Sequence, residues 1–245
     1  MLIFTKQFIN FKWALTPFIT FIFMMIQIKS LINEAQLLKI HEILAETSFV
    51  DGKVTAGKVA SKIKNNLESS LPPEKQQLLN RILMAALGNN QQFKSFVLPN
   101  RMADFIFSKY EPGMTYGDHV DDPLMGGGKF RTDVSMTVFL NNAEDYEGGE
   151  LTVRTPFGNQ QVKLNAGDAV VYPSASVHEV APVTSGQRRV ALTWIQSFVR
   201  DAAKRELLYE LDQAREKLFS TDSESMESKY VDRSYANLLR MWADV

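Results

Sequence analysis

The chain contains no cysteine. Disulfides, thiolate nucleophiles and cysteine-ligated zinc or iron–sulfur sites are therefore excluded, and any metal must be held by nitrogen and oxygen donors. The same absence fits a reducing compartment, so a cytoplasmic location is expected. Histidine is almost as scarce, with only His41, His119 and His178, which leaves imidazole chemistry three places to be. Neither sign of charge is in excess: 27 Lys and Arg stand against 28 Asp and Glu. With no aromatic–basic stretch either, no nucleic-acid partner is expected. A hydrophobic share of 45% beside 22% charged residues is the profile of a globular protein, and 245 residues suffice for one substantial core and a smaller unit.

A long apolar run is missing too. Residues 14–28, ALTPFITFIFMMIQI, follow Lys6 and Lys12. They fall short of the roughly 20 residues that span a bilayer, and Pro17 interrupts them. No small-residue cleavage site follows. Residues 1–24 are expected to be an N-terminal extension or disordered tail, with Met24 or Met25 as an alternative start. A signal or anchor and an ordered packing segment are the other readings, and no membrane partner is expected.

What is present falls into three regions. Residues 25–93 read as a helical support region. Asn33 and Gln36 have the spacing of a capping box ahead of apolar residues at helical period, and His41 is read as a boundary residue of that helix. Residues 56–70 are polar and rich in Lys and Asn. Pro72-Pro73 opens a second helix, predicted over about 74–86 and ended by Gly88. Residues 94–200 read as β: FVLP, DFIFSKY, DVSMTVFLN, ELTVRTP, QQVKLN, DAVVYP and RVALTWIQSFV are short strand-like runs separated by Gly-rich turns. Such spacing suggests a sandwich or barrel. Residues 201–245 return to helical period, and their helices are candidate contacts for a homo-oligomer. The fold class is thus α+β.

Two of the histidines lie in the β region. His119 and Asp121 are two apart, which puts both side chains on one face of a strand. His178 lies on a distant strand that a barrel brings to the same interior. Two His and one carboxylate form the facial triad of non-haem iron(II) oxygenases. Arg188, on the last long strand, can pair bidentately with the distal carboxylate of 2-oxoglutarate. Trp194 falls on the same inward face and is assigned to core packing. Tyr116 and Arg131 fit either substrate contact or strand packing. The glycines 126–128 before Lys129 lack P-loop spacing and read as a loop near the metal, with a substrate lid as one role. Gly148-Gly149 reads as a turn entering a strand.

The run Tyr110, Gly113, Tyr116, His119, Asp121 resembles the prolyl/lysyl hydroxylase-type 2-oxoglutarate oxygenases. The stretches RTDVSMTVFLN, YEGGELTV, AGDAVVYPSASVHEVAPVTSGQRR and WIQSFVRD narrow the likeness to the bacterial PKHD-type hydroxylases, as do DGKVTAG and KNN before them. The resemblance runs from about Met25 to the C-terminus. It implies a double-stranded β-helix (jelly-roll) core at 94–200 with flanking N- and C-terminal helices. It also implies iron(II), 2-oxoglutarate and dioxygen, commonly ascorbate as reductant, and a link to iron homeostasis. Position by position, it makes His119, Asp121 and His178 the catalytic metal ligands, Arg188 the 2-oxoglutarate anchor, and Tyr110 a second contact to the same carboxylate. Halogenating relatives lack the carboxylate ligand, so Asp121 implies hydroxylation. The substrate stays open between a peptidyl prolyl or lysyl side chain and a small molecule. The rival readings are a non-catalytic metal- and 2-oxoglutarate-binding sensor, a zinc hydrolase, and an oxygenase of nucleic acid.

Overall fold

Alternation of side chains along Val134–Phe139 and Arg188–Ser197 sets the architecture, because both strands are buried on both faces. Val134, Met136, Val138, Ala191 and Ile195 pack outward in a cluster with helical residues, while Phe139 and Val190 pack inward. The computed structural model describes residues 25–55, 57 and 60–245. The expectation for residues 1–24 lies outside them.

These two strands pair antiparallel at the centre of an eight-stranded sheet. On one side of them come Ala169–Pro173 and then Ile26–Ile28; on the other come Ile106–Tyr110, Leu67–Ser70 and Ser48–Asp51. Pro99–Met102 pairs with the far end of Arg188–Ser197. A five-stranded sheet runs in the order Gly158–Val162, Leu151–Thr155, His178–Val180, Thr115–His119, Lys64–Asn65. An inner cluster joins the two: Tyr110, Phe139, Val170, Tyr172 and Val190 meet Leu151, Val153, Val162 and Val180. The result is the jelly roll.

Helices cover the outer face of the larger sheet. α1 (Glu34–Ala45) begins at Asn33, whose capping box with Gln36 is formed as predicted. α2 starts at Pro73 and runs through Gly88 to Asn89. The predicted stop at Gly88 is not used, because Asn90 ends α2 and caps α3 (Gln91–Val97) through its side chain. The run FVLP is likewise not a strand: Phe93, Phe96 and Val97 are buried at helical spacing on α3. Leu98, in the left-handed region at φ 50°, turns the chain into the sheet. Residues 25–93 are not purely helical either, since they supply Lys64–Asn65 to one sheet and three strands to the other. α4 (Ala202–Asp222) is capped by Asp201, and α5 (Met226–Trp242) by Ser225. Leu208 of α4 and Tyr235 of α5 form a cluster with Val199, and α4 meets α3 edge-on through Tyr209 and Phe96. No described helix is long and apolar enough to cross a membrane.

Candidate active site

The antiparallel register between Thr115–His119 and His178–Val180 places His119 directly opposite His178. Asp121 follows His119 just past the strand end. Asp121 Oδ1 lies 4.0 Å from His119 Nε2 and 3.8 Å from His178 Nε2. One donor atom from each of the three lies within 4.8 Å of the others, a spacing that suits one ion. Both rings are aimed by backbone: His119 Nδ1–H donates to Gly117 O at 2.7 Å, and His178 Nδ1–H donates to Ser176 O at 3.0 Å. With both Nδ1 atoms engaged by backbone, Nε2 is the ring nitrogen that each histidine turns toward Asp121, the arrangement that metal ligation uses. Ser135 donates to Asp121 Oδ2 at 2.5 Å and contacts Ser174 Oγ at 2.7 Å, which holds the carboxylate in place. Two imidazole nitrogens and a carboxylate oxygen converging on one point are a donor set that fits a divalent cation.

Burial, together with the nearby His178, lowers the His119 pKa to about 4, so the ring is neutral near pH 7. Tyr116 stacks on it at 3.6 Å between centroids, and Tyr172 stands edge-on to His178 at 5.1 Å. Burial raises both phenols above their ordinary range, so both stay protonated.

The triad opens into a cavity of about 380 Å³ whose lining includes Tyr110, Arg188, Leu192 and Trp194. Arg188 is 1% exposed, and its guanidinium lies 5.1 Å from the Tyr110 ring centroid and 5.6 Å from that of Phe139. Tyr110 sits opposite it in the adjoining strand. No acidic group pairs with Arg188 among the described residues, and its Nε is buried without a hydrogen-bond partner. The Tyr146 hydroxyl is buried beside this guanidinium and has no other hydrogen-bond partner. Its pKa is raised by burial, against the pull of the neighbouring Arg188 charge. A buried cation without a counter-ion is costly, and a ligand carboxylate resolves it. The lining thus suits a carboxylate-bearing ligand such as 2-oxoglutarate.

The five residues singled out from sequence are all brought to this cavity. Trp194, assigned to core packing, is half-buried and lines the cavity instead. Tyr116 lines it too, whereas Arg131 turns away to Asp133 and Asp244 and ties the C-terminus to the sheet. The glycines 126–128 lie at the mouth, all with positive φ. Sequence reasoning missed Ser135, Tyr146, Thr55, Lys64, Asn66 and Glu68. For the last three the signal was a period of two, K-x-N-x-E, in a stretch read as polar and, at KNN, as part of the family resemblance, with no site role assigned.

Residues 105–196 match the model of the 2OG-Fe(II) oxygenase superfamily, and residues 202–244 match that of the PKHD-type hydroxylase C-terminal domain. A PKHD-type hydroxylase of Thioalkalivibrio sulfidiphilus is 46% identical over 224 residues, covering 91% of this chain and 100% of the relative. One from Acaryochloris marina is 44% identical over 221 residues, covering 90% and 100%. Among solved structures, a prolyl hydroxylase from Trichoplax adhaerens, in complex with a hypoxia inducible factor peptide fragment, shares the fold at TM-score 0.52 and 15% identity, covering 75% of this chain and 86% of that one. Identity of this extent, on a jelly roll with the His-Asp-His cluster in its cavity, means that the chain belongs to the PKHD-type hydroxylases, dioxygenases that use iron(II), 2-oxoglutarate and dioxygen.

Proposed function

We propose that His119, Asp121 and His178 hold the iron, that Arg188 and Tyr110 receive the distal carboxylate of 2-oxoglutarate, and that the enzyme hydroxylates a C–H bond of a substrate bound above them. Iron(II) and 2-oxoglutarate, when bound, supply oxidative decarboxylation to succinate and carbon dioxide, coupled to insertion of one oxygen atom into that bond. The chain contributes ligand geometry, orientation and exclusion of water. Ser135 keeps Asp121 in its ligating position. Leu151 and Leu192 add apolar surface to the cavity wall. Ascorbate as reductant, a role in iron homeostasis, a cytoplasmic location and residues 94–200 as the catalytic core belong to the same proposal. So does the open choice between a prolyl or lysyl side chain and a small molecule.

The observation that carries the reading is the buried, unpaired Arg188 in the same cavity as the triad. A zinc hydrolase has no use for such a cation. A non-catalytic sensor would keep the whole site and differ only in turnover. The test is anaerobic titration with iron(II) and 2-oxoglutarate, followed by the visible metal-to-ligand charge-transfer band. Wild type is expected to show the band, His178→Ala to lose it, and Arg188→Ala to need far more 2-oxoglutarate. Metal binding without a band in wild type overturns the oxygenase reading. A band without substrate-stimulated succinate release across peptidyl and small-molecule libraries favours the sensor.

A further inference from the structure

The cavity holds a second polar group that neither the metal triad nor Arg188 uses. Lys64 and Glu68 are 7% and 4% exposed, and their side chains form an ion pair at 2.5 Å. Thr55 closes it: Thr55 Oγ1–H donates to Glu68 Oε2 at 2.7 Å, and Lys64 Nζ–H donates to Thr55 Oγ1 at 2.9 Å. Asn66, 2% exposed, stands between them in sequence on the same face. Its Nδ2–H donates to Ser108 Oγ at 2.6 Å, while its Oδ1 is buried without a partner. All four residues line the cavity that contains the triad. Lys64 lies opposite Tyr116 in register, and its ammonium is 5.4 Å from the centroid of the ring that stacks on His119. The cluster therefore sits one side chain away from the metal site.

A buried ion pair adds little net stability, because desolvating two charges offsets their attraction. Placed in the wall of a reaction cavity, it serves recognition instead. We propose that Thr55, Lys64, Asn66 and Glu68 form a substrate subsite for a neutral group carrying both a hydrogen-bond donor and an acceptor, of which a carboxamide is the best match. An ammonium has three N–H donors, and Lys64 directs two of them to Glu68 and Thr55. The third is left for a carbonyl oxygen. The remaining lone pairs of Glu68 are left for an N–H, while Asn66, its Oδ1 packed against Gly52, shapes the wall beside them. The pair is already neutral as a unit, so a ligand carboxylate or ammonium would bury an uncompensated charge there, which is strongly unfavourable. Peptide backbone and amide-linked small molecules both carry the required group. The subsite rests on the oxygenase reading, because its ligand is the substrate held beside the metal.

The test uses the full chain loaded with manganese(II) and 2-oxoglutarate, so that the metal relaxes nearby protons. Acetamide, acetate and methylammonium are titrated in turn, and paramagnetic relaxation of each methyl resonance is measured by NMR. Wild type is expected to bind acetamide saturably and in preference to both charged probes. Lys64→Met/Glu68→Leu, which removes the pair without orphaning either charge, is expected to weaken acetamide by about tenfold. Thr55→Val provides the same comparison with a smaller change, should the double variant not fold. Equal acetamide binding in wild type and variants overturns the subsite. So does tighter binding of acetate or methylammonium, or no saturable acetamide binding in wild type. If wild type shows no iron–2-oxoglutarate band, the oxygenase reading has failed and the subsite falls with it. A band without acetamide binding sinks the subsite alone.

Discussion

Arg188 is buried, faces no acidic group among the described residues, and leaves Nε unpartnered. In the ligand-free protein such a charge costs up to several kcal/mol. Replacing it with Met, which fills much of the same space, is expected to stabilise the ligand-free fold while abolishing the response to 2-oxoglutarate. At about 2–4 °C per kcal/mol for a chain of this size, the gain is readable in a thermal melt. A fall in melting temperature would show that Arg188 is satisfied without ligand. His119 gives a second expectation with a definite sign. Its folded pKa of about 4 lies below the ordinary 6.5, so the unfolded chain takes up the proton first as pH falls. Its contribution is therefore intact above about pH 6.5 and is lost as pH drops toward about 4. Melts of the metal-free protein should decline through that window, and His119→Gln should flatten the decline. Identical slopes in the two proteins would refute the assignment.

The turn between Tyr146–Gly148 and Leu151–Thr155 is where a short element packs against Arg188, the proposed anchor. Gly149 has φ +67°, and a Cβ there would meet Val183 Cγ2 at 3.0 Å, Arg188 Cδ at 3.1 Å and Tyr146 Cε2 at 3.1 Å. Gly149→Ala is expected to cost about 1–2 kcal/mol from the left-handed backbone alone. It should also displace Arg188 and so raise the 2-oxoglutarate requirement, read from the charge-transfer titration, while metal affinity holds. Elements of this kind were partly legible in the sequence. The His119-x-Asp121 spacing put both side chains on one side of the chain, although the strand ends at His119 and Asp121 lies just past it, and the glycine pair marks a turn. The pairing of His178 with His119 was not legible, because it depends on which of many strands are neighbours. The Lys64, Asn66 and Glu68 face was missed because a polar inward face reads as a solvated one until the partner strands are known. α3 was misread because Phe96-Val97 carries β propensity, whereas burial at Phe93, Phe96 and Val97 selects a helix.

Across the whole molecule, two sheets converge on one cavity, and that cavity concentrates the unresolved electrostatics: the three proposed metal ligands and a lone guanidinium in its wall. Ligands that neutralise both should stabilise the fold as a unit. A ligand that binds only the native state adds about 2.7 kcal/mol when present at a hundred times its Kd, which corresponds to roughly 5–10 °C for a chain of this length. Manganese(II) alone is expected to raise the melting temperature by relieving repulsion among the triad's lone pairs. 2-Oxoglutarate alone is expected to do less, because only Arg188 then gains a partner. The two together should exceed the sum of their separate shifts, since the keto acid spans both ends. Asp121→Ala should remove the metal shift and the excess while leaving the small effect of 2-oxoglutarate. Strictly additive shifts in wild type would mean that the metal and Arg188 do not share one ligand, and the proposed placement of 2-oxoglutarate across the cavity would have to be abandoned.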